Sequence, residues 1–132
     1  MVSLLPMVCN AQLNVTSTSE KMVTLASGRM GNISMVKMGD FYFMHISSSN
    51  QFETPQSFYL GDSAESCKKT LNDLLGLIDT MGKDERVQVD NKGKKVSLFK
   101  YSNISLGFDF GNDAGMFWIS KQECKKFLSA ME

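Results

Sequence analysis

The chain is short of several things at once. Its 132 residues include only two prolines, three cysteines, one histidine and one tryptophan, and 14 basic residues balance 14 acidic ones. A lone imidazole excludes a His-pair metal motif and leaves Ser–His or Cys–His catalysis dependent on His45. Placed between Met44 and Ile46 in a strand-like segment, His45 reads as a half-buried packing residue. Three cysteines at wide spacing form neither a zinc motif nor a disulfide scaffold. Balanced charge removes any global field that would steer the chain to nucleic acid or anionic membrane. No stretch approaches the roughly 20 apolar residues needed to span a bilayer. A Gly-rich phosphate loop with its lysine is missing, and so is a nucleophile elbow. These gaps point away from an enzyme, a cofactor and a bound metal, and towards a binding module.

What is present is the composition of one ordinary folded domain, 42% hydrophobic and 21% charged. The first residues differ from the rest. Met1 to Val8 is almost wholly apolar, and Cys9-Asn10-Ala11 then sets small residues at alternate positions before Gln12. That pattern resembles the end of a bacterial secretory signal peptide, truncated of its basic segment and cleaved after Ala11. Residues 1–11 are then a leader, residues 12–132 the domain, and the destination periplasmic or extracellular. Removal of Cys9 leaves Cys67 and Cys124, an even pair that permits a disulfide. Both fall on apolar helical stripes, where a free thiol behaves as a small hydrophobe, so buried thiols are the favoured reading.

The domain repeats itself. Ser63 opens a helical stretch carrying Cys67-Lys68-Lys69 and Leu71, and Ser120 opens another carrying Cys124-Lys125-Lys126 and Leu128. Each follows a short apolar strand, Phe58-Tyr59-Leu60 or Phe117-Trp118-Ile119. Upstream, Ile33-Ser34-Met35-Val36-Lys37-Met38 aligns with Val96-Ser97-Leu98-Phe99-Lys100-Tyr101. Alternation predicts strands over residues 21–27, 32–38, 41–47 and 57–60, then 85–90, 95–101, 104–110 and 116–119. Ala64, Cys67, Leu71, Leu74, Leu75, Ile78 and Met81 form the stripe of the first helix, which a left-handed Gly82 is expected to close. Cys124, Phe127, Leu128 and Met131 face inward on the second. Ile104, Leu106, Phe108 and Phe110 share one strand face. The expected architecture is α+β: a duplicated ββββα unit, residues 21–82 and 85–132, with an antiparallel sheet carrying both helices on one face.

Local motifs add little chemistry. Asp109-Phe110-Gly111-Asn112-Asp113 has oxygen ligands of the kind calcium takes, but reads as a turn in which Asp and Asn bond their own backbone. Lys92, Lys94 and Lys95 crowd a hairpin tip, and ten methionines read as flexible core filler. The Ser48–Gln56 loop and the open sheet face are the candidate surfaces for a protein partner or surface ligand. An exposed sheet edge would also let two copies pair as a homodimer.

The doubled order of four strands and a helix resembles the topology shared by the Whirly, PUR and PC4-like folds. That resemblance implies single-stranded nucleic acid as the alternative ligand. Lys37, Phe41, Phe43, Lys92, Lys94, Lys95, Phe99, Lys100 and Tyr101 would then supply stacking and phosphate contacts. Read without the resemblance, the same alternating aromatics are core.

Expression of the gene with its upstream codons in a bacterial host tests the leader. The expected intact mass is that of a chain beginning at Gln12, recovered outside the cytoplasm; an uncleaved cytoplasmic chain would overturn export.

Overall fold

The computed structural model describes residues 21–47, 54–111 and 117–132. The leader with Cys9, most of the Ser48–Gln56 loop and Asn112-Asp113 lie outside the described residues. Four strands come first: β1 (Met22–Gly28), β2 (Ile33–Met38), β3 (Phe41–Ile46) and β4 (Gln56–Gly61). Helix α1 (Ala64–Thr80) follows them. Then β5 (Arg86–Asn91), β6 (Lys94–Ser102), β7 (Ser105–Asp109) and β8 (Phe117–Ser120) lead into α2 (Lys121–Ala130). The duplicated ββββα arrangement is therefore present. Its eight strands divide between two four-stranded antiparallel meanders, β1-β2-β3-β4 and β5-β6-β7-β8, rather than joining in one sheet.

The pairing registers show how closely the two units correspond. Lys37 stands opposite Tyr42 as Lys100 stands opposite Leu106. Met44 faces Phe58 as Phe108 faces Phe117, and Phe43 faces Tyr59 as Gly107 faces Trp118. Alternation then sends one set of side chains inward in both units. Ile33, Met35, Tyr42, Met44, Ile46, Phe58 and Leu60 join Val96, Leu98, Leu106, Phe108, Phe117 and Ile119 in one buried cluster. The rings of Phe58 and Phe108 meet edge to face at 5.1 Å and tie the two sheets together.

Both helices serve this shared core. α1 packs on β4 and reaches β7, α2 packs on β1 and β8, and the helices touch each other. Each begins with a reciprocal capping box. Ser63 Oγ accepts from the Ser66 N–H at 3.1 Å and Ser66 Oγ accepts from the Ser63 N–H at 3.1 Å. In α2, Ser120 Oγ accepts from the Glu123 N–H at 3.1 Å, and Glu123 Oε1 accepts from the Ser120 N–H at 3.0 Å. The end of α1 departs from expectation. Met81 turns to extended backbone (φ −70°, ψ 134°) and is buried, so no left-handed Gly82 is required. The freed carbonyls of Ile78 and Met81 instead accept from Lys100 Nζ at 3.1 and 3.2 Å. Ile104 also departs. A bulge between Lys100 and Ser102 shifts the register, leaving Ile104 in the turn at 62% exposure while Leu106, Phe108 and Phe110 stay inside.

Cys67 and Cys124 are free, fully buried thiols, and Cys124 Sγ donates to the Leu71 carbonyl at 3.1 Å. Burial pushes Cys67 up to about 11. The same cause, partly offset by a backbone hydrogen bond at Leu75, pushes Cys124 up to about 12. A thiol whose folded pKa is raised contributes its full stability below the unfolded value, and that stability is lost as pH rises towards the folded one. In a Cys9→Ser chain, neither thiol should react with a disulfide reagent at pH 8 until denaturant is added. Stability should then fall progressively above about pH 9, less so in a Cys67→Ala/Cys124→Ala chain. Rapid native labelling, or equal alkaline loss in both chains, would contradict the burial.

Candidate functional site: the outer sheet faces and their clasps

The residues opposite the core strand positions point outward. On the first sheet these are Phe41 and Phe43, with Tyr59 beside them, its ring 6.2 Å from Phe41 and 5.5 Å from Phe43. Val36, opposite Phe43, is buried on that outer side and takes no part in the common core. On the second sheet the outward set is Phe99, Tyr101 and Trp118, the last two stacked at 5.2 Å with planes 4° apart. Gly107 separates Phe99 from Trp118 in the cross-strand row. A Cβ there would lie 2.3 Å from the Phe99 ring, so only glycine lets that ring lie across the strand. The core reading of Phe41, Phe43, Phe99 and Tyr101 is thus corrected: their alternates fill the core and they face out.

Each outer face carries cations over its rings. The Arg29 guanidinium sits 3.7 Å from the Trp118 centroid, and that of Arg86 lies 5.0 Å from Phe99. Lys92 Nζ lies 4.1 Å from the Phe41 centroid and 4.5 Å from Tyr59. Partial burial and then the Asp62 carboxylate raise the Tyr59 phenol above its ordinary pKa.

Arg86 comes from β5 of the same sheet, whereas Arg29 and Lys92 arrive on hairpin turns that cross between the repeats. The β1–β2 turn is a 3-10 segment, Arg29–Gly31, in which Arg29, Met30 and Gly31 all have positive φ (49°, 57° and 91°). Left-handed backbone costs a non-glycine residue about 1–2 kcal/mol. Contacts to the second repeat hold it there. Arg29 Nε donates to Glu123 Oε2 at 2.8 Å, and Arg29 Nη2 donates to the Trp118 carbonyl of edge strand β8. The reverse crossing comes from the β5–β6 turn, where Lys92 (φ 54°) and Gly93 (φ 87°) make a tight two-residue loop. Asn91 Oδ1 accepts from the Tyr59 N–H at 2.8 Å, and Asn91 Nδ2 donates to the Tyr59 carbonyl at 2.9 Å. Tyr59 and Trp118 hold equivalent positions, so each repeat's first turn clasps the same point on the other's edge strand.

The expected ligand residues therefore separate. Phe41, Phe43 and Lys92 share one face, and Phe99 and Tyr101 the other. Lys94 Nζ turns to the buried Phe110 ring at 5.5 Å, and Lys95 projects into solvent opposite Asp90. Lys37 lies 5.6 Å from the Tyr42 ring, and Lys100 is spent on the end of α1. Arg29, Arg86, Tyr59, Asn91 and Trp118 were not among the expected site residues. For the two rings, period two alone places the middle residue of Phe58-Tyr59-Leu60 and Phe117-Trp118-Ile119 away from the core. Asp109 Oδ1 accepts from the Gly111 N–H at 2.9 Å, the expected turn geometry at the described end of its loop. Among the described residues no group of three or more metal-ligating side chains gathers, and no helix is long and apolar enough to cross a membrane.

Comparison with known proteins gives no match to a protein family, to a curated protein or to a solved structure. What defines the protein is thus its fold, a duplicated ββββα unit with reciprocal clasps and aromatic outer faces.

The clasps have a measurable worth. Asn91→Ala removes two hydrogen bonds from a strand edge and should cost about 1–2 kcal/mol. Arg29→Ala removes a half-buried ion pair and a cation–π contact and should cost about 2 kcal/mol. Chemical denaturation at neutral pH reads both, and losses within experimental error for both would refute the clasp.

Proposed function

We propose that this is a small, exported, non-enzymatic binding domain that engages a protein partner through the outer face of its second sheet. One observation carries the reading: Trp118, Tyr101, Arg29 and Arg86 stand together on that face, pre-positioned by stacking and by ion pairs. Trp, Tyr and Arg are the residues that dominate binding energy at protein interfaces, because they offer large contact area at small entropic cost. Arg29 holds the largely buried Glu123 at 2.8 Å, so the Trp118 ring beneath it stays fixed before any ligand arrives; the half-exposed Arg86–Asp109 pair at 3.4 Å adds less. The export half of the proposal rests on the apolar run before Gln12.

Single-stranded nucleic acid is the second reading, favoured by the same stacked rings with flanking arginines. Carboxylates already answer both arginines, and the chain has no net charge, which weakens any phosphate-driven affinity. Trp118 is the sole tryptophan, so its emission reports directly on this face. Titration with oligodeoxythymidine should leave that emission unchanged. Quenching that weakens steeply with salt would transfer the proposal to nucleic acid. A photoreactive phenylalanine analogue at Tyr101 should crosslink to one defined protein in the cells of origin. The crosslink should disappear in Trp118→Ala and be absent when the analogue replaces Lys125. Equal labelling from both positions would remove the protein reading.

A further inference from the structure

A cleft of about 440 Å³ lies between α1, β4 and the β5–β6 hairpin, away from the second sheet's aromatic face. Its size lies within the range of ligand pockets. The floor is apolar: Phe58, Leu74 and Leu98 are buried beneath it, and Leu77 and Val89 are half-buried along it. The rim carries Asp62, Asp73 and Asp90 against a single lysine, Lys92. Lys92 directs its ammonium to the Phe41 and Tyr59 rings and not to these carboxylates. Asp90 Oδ1 accepts from the Gly93 N–H in the turn, which leaves its other oxygen open. Asp73 meets Lys69 at 3.2 Å in a pair whose side chains are 77% and 65% exposed, an attachment easily displaced.

The second repeat shows what such a space accepts. A neighbouring cleft there, which shares with the first the equivalent Ser66/Glu123 position, lies between the first turn of α2 and the β1–β2 turn and is lined by Arg29, Ser120, Gln122, Glu123 and Lys126. There the chain supplies its own guanidinium, which meets the Glu123 carboxylate beside the Trp118 ring and carbonyl. In the first repeat Ser66 stands where Glu123 does, and Asn91 takes the edge-strand carbonyl with a neutral amide. No arginine of the chain lines this cleft, and the carboxylates have moved to its rim.

We infer that the first cleft binds an arginine side chain of a peptide partner. The aliphatic stem lies along Leu77 and Val89, and the guanidinium is held among Asp62, Asp73 and Asp90. The stem gains from apolar burial, while the head keeps partial solvation at the acidic rim. A lysine side chain would fit the same floor but lacks the planar fork that can bridge two carboxylates. This site is separate from the face proposed above, and either can fail alone.

The test is a two-dimensional NMR titration of the full chain with acetyl-Ala-Leu-Arg-Leu-Ala-amide, and with the same peptide carrying citrulline in place of arginine. Citrulline keeps the shape and removes the charge. The arginine peptide should produce saturable shifts at Thr70, Leu77, Val89 and Asp90 with little change at Trp118. Citrulline should weaken binding by about tenfold, the worth of one charge-assisted hydrogen bond. Asp73→Asn should weaken it by about threefold without changing the melting temperature. No saturable shift at millimolar peptide, or equal affinity for both peptides, would overturn the inference. The peptide comparison needs no variant, so a folding defect cannot obscure the answer.

Discussion

Everything on the surface of this protein depends on how two edge strands are closed. A meander of four strands leaves unpaired backbone on its last strand, and here β4 and β8 each also launch a helix into the core. An open edge is a template for association, so a fold of this kind must cover it or accept the risk. The duplication offers a local remedy. The first turn of each repeat lies close enough to the last strand of the other to supply a side chain. Asn91 covers β4 and Arg29 covers β8 at positions that correspond in register. The common core holds the repeats by area, and the clasps specify where they meet.

Clasp and aromatic face are consequences of one geometry. A turn that reaches an edge strand from outside brings its neighbouring side chains over the strand's outward residue. On β8 that residue is Trp118 and the incoming cation is Arg29; on β4 it is Tyr59 and the cation is Lys92. Rings exposed on a sheet would ordinarily be free to reorient. Here a cation on one side and stacking or edge contacts on the other hold them still, so less rotamer entropy remains to be lost on binding. The left-handed backbone at Arg29 and Met30 fits the same account, because strain of that kind persists only where surrounding contacts over-determine it.

Much of this was legible along the chain and some was not. Period-two alternation sufficed for the shared face of Leu106, Phe108 and Phe110, and the Ser120 cap followed from residue type and spacing. Burial of Cys67 and Cys124 followed from their helical stripes. Division into two sheets was not legible, because local patterning defines a strand's inner face without saying which strands share hydrogen bonds. The end of α1 was misread at Gly82 because its carbonyls find Lys100, 22 residues from Ile78 in sequence. Ile104 was misplaced by a bulge that alternation cannot see. The aromatic faces were half legible: period two separates Phe41 and Phe43 from Tyr42 and Met44, but which set faces in depends on the helices. Arg29 carried no signal beyond lying in a glycine-flanked turn, since its role exists only through Glu123 and Trp118 on the other repeat.

The differences between the repeats matter more for function than their likeness. Had the second clasp copied the first, an arginine would stand at Asn91 and a glutamate at Ser66, and both clefts would be self-filled. Instead the first cleft is closed at the strand edge by a neutral amide, and its cation is drawn off to Phe41 and Tyr59. An amide satisfies the backbone as well as a guanidinium does, and the three rim carboxylates make only local contacts, Asp62 to Ser66, Asp73 to the exposed Lys69 and Asp90 to the Gly93 N–H. Among the described residues only Asp73 of those acids meets a cation, the exposed Lys69, and their mutual repulsion is a small cost carried by the free protein. A basic side chain from outside relieves that cost on arrival. On this argument the clasp on the second repeat spends Arg29 on holding the domain together, and the first repeat leaves the equivalent place for a partner.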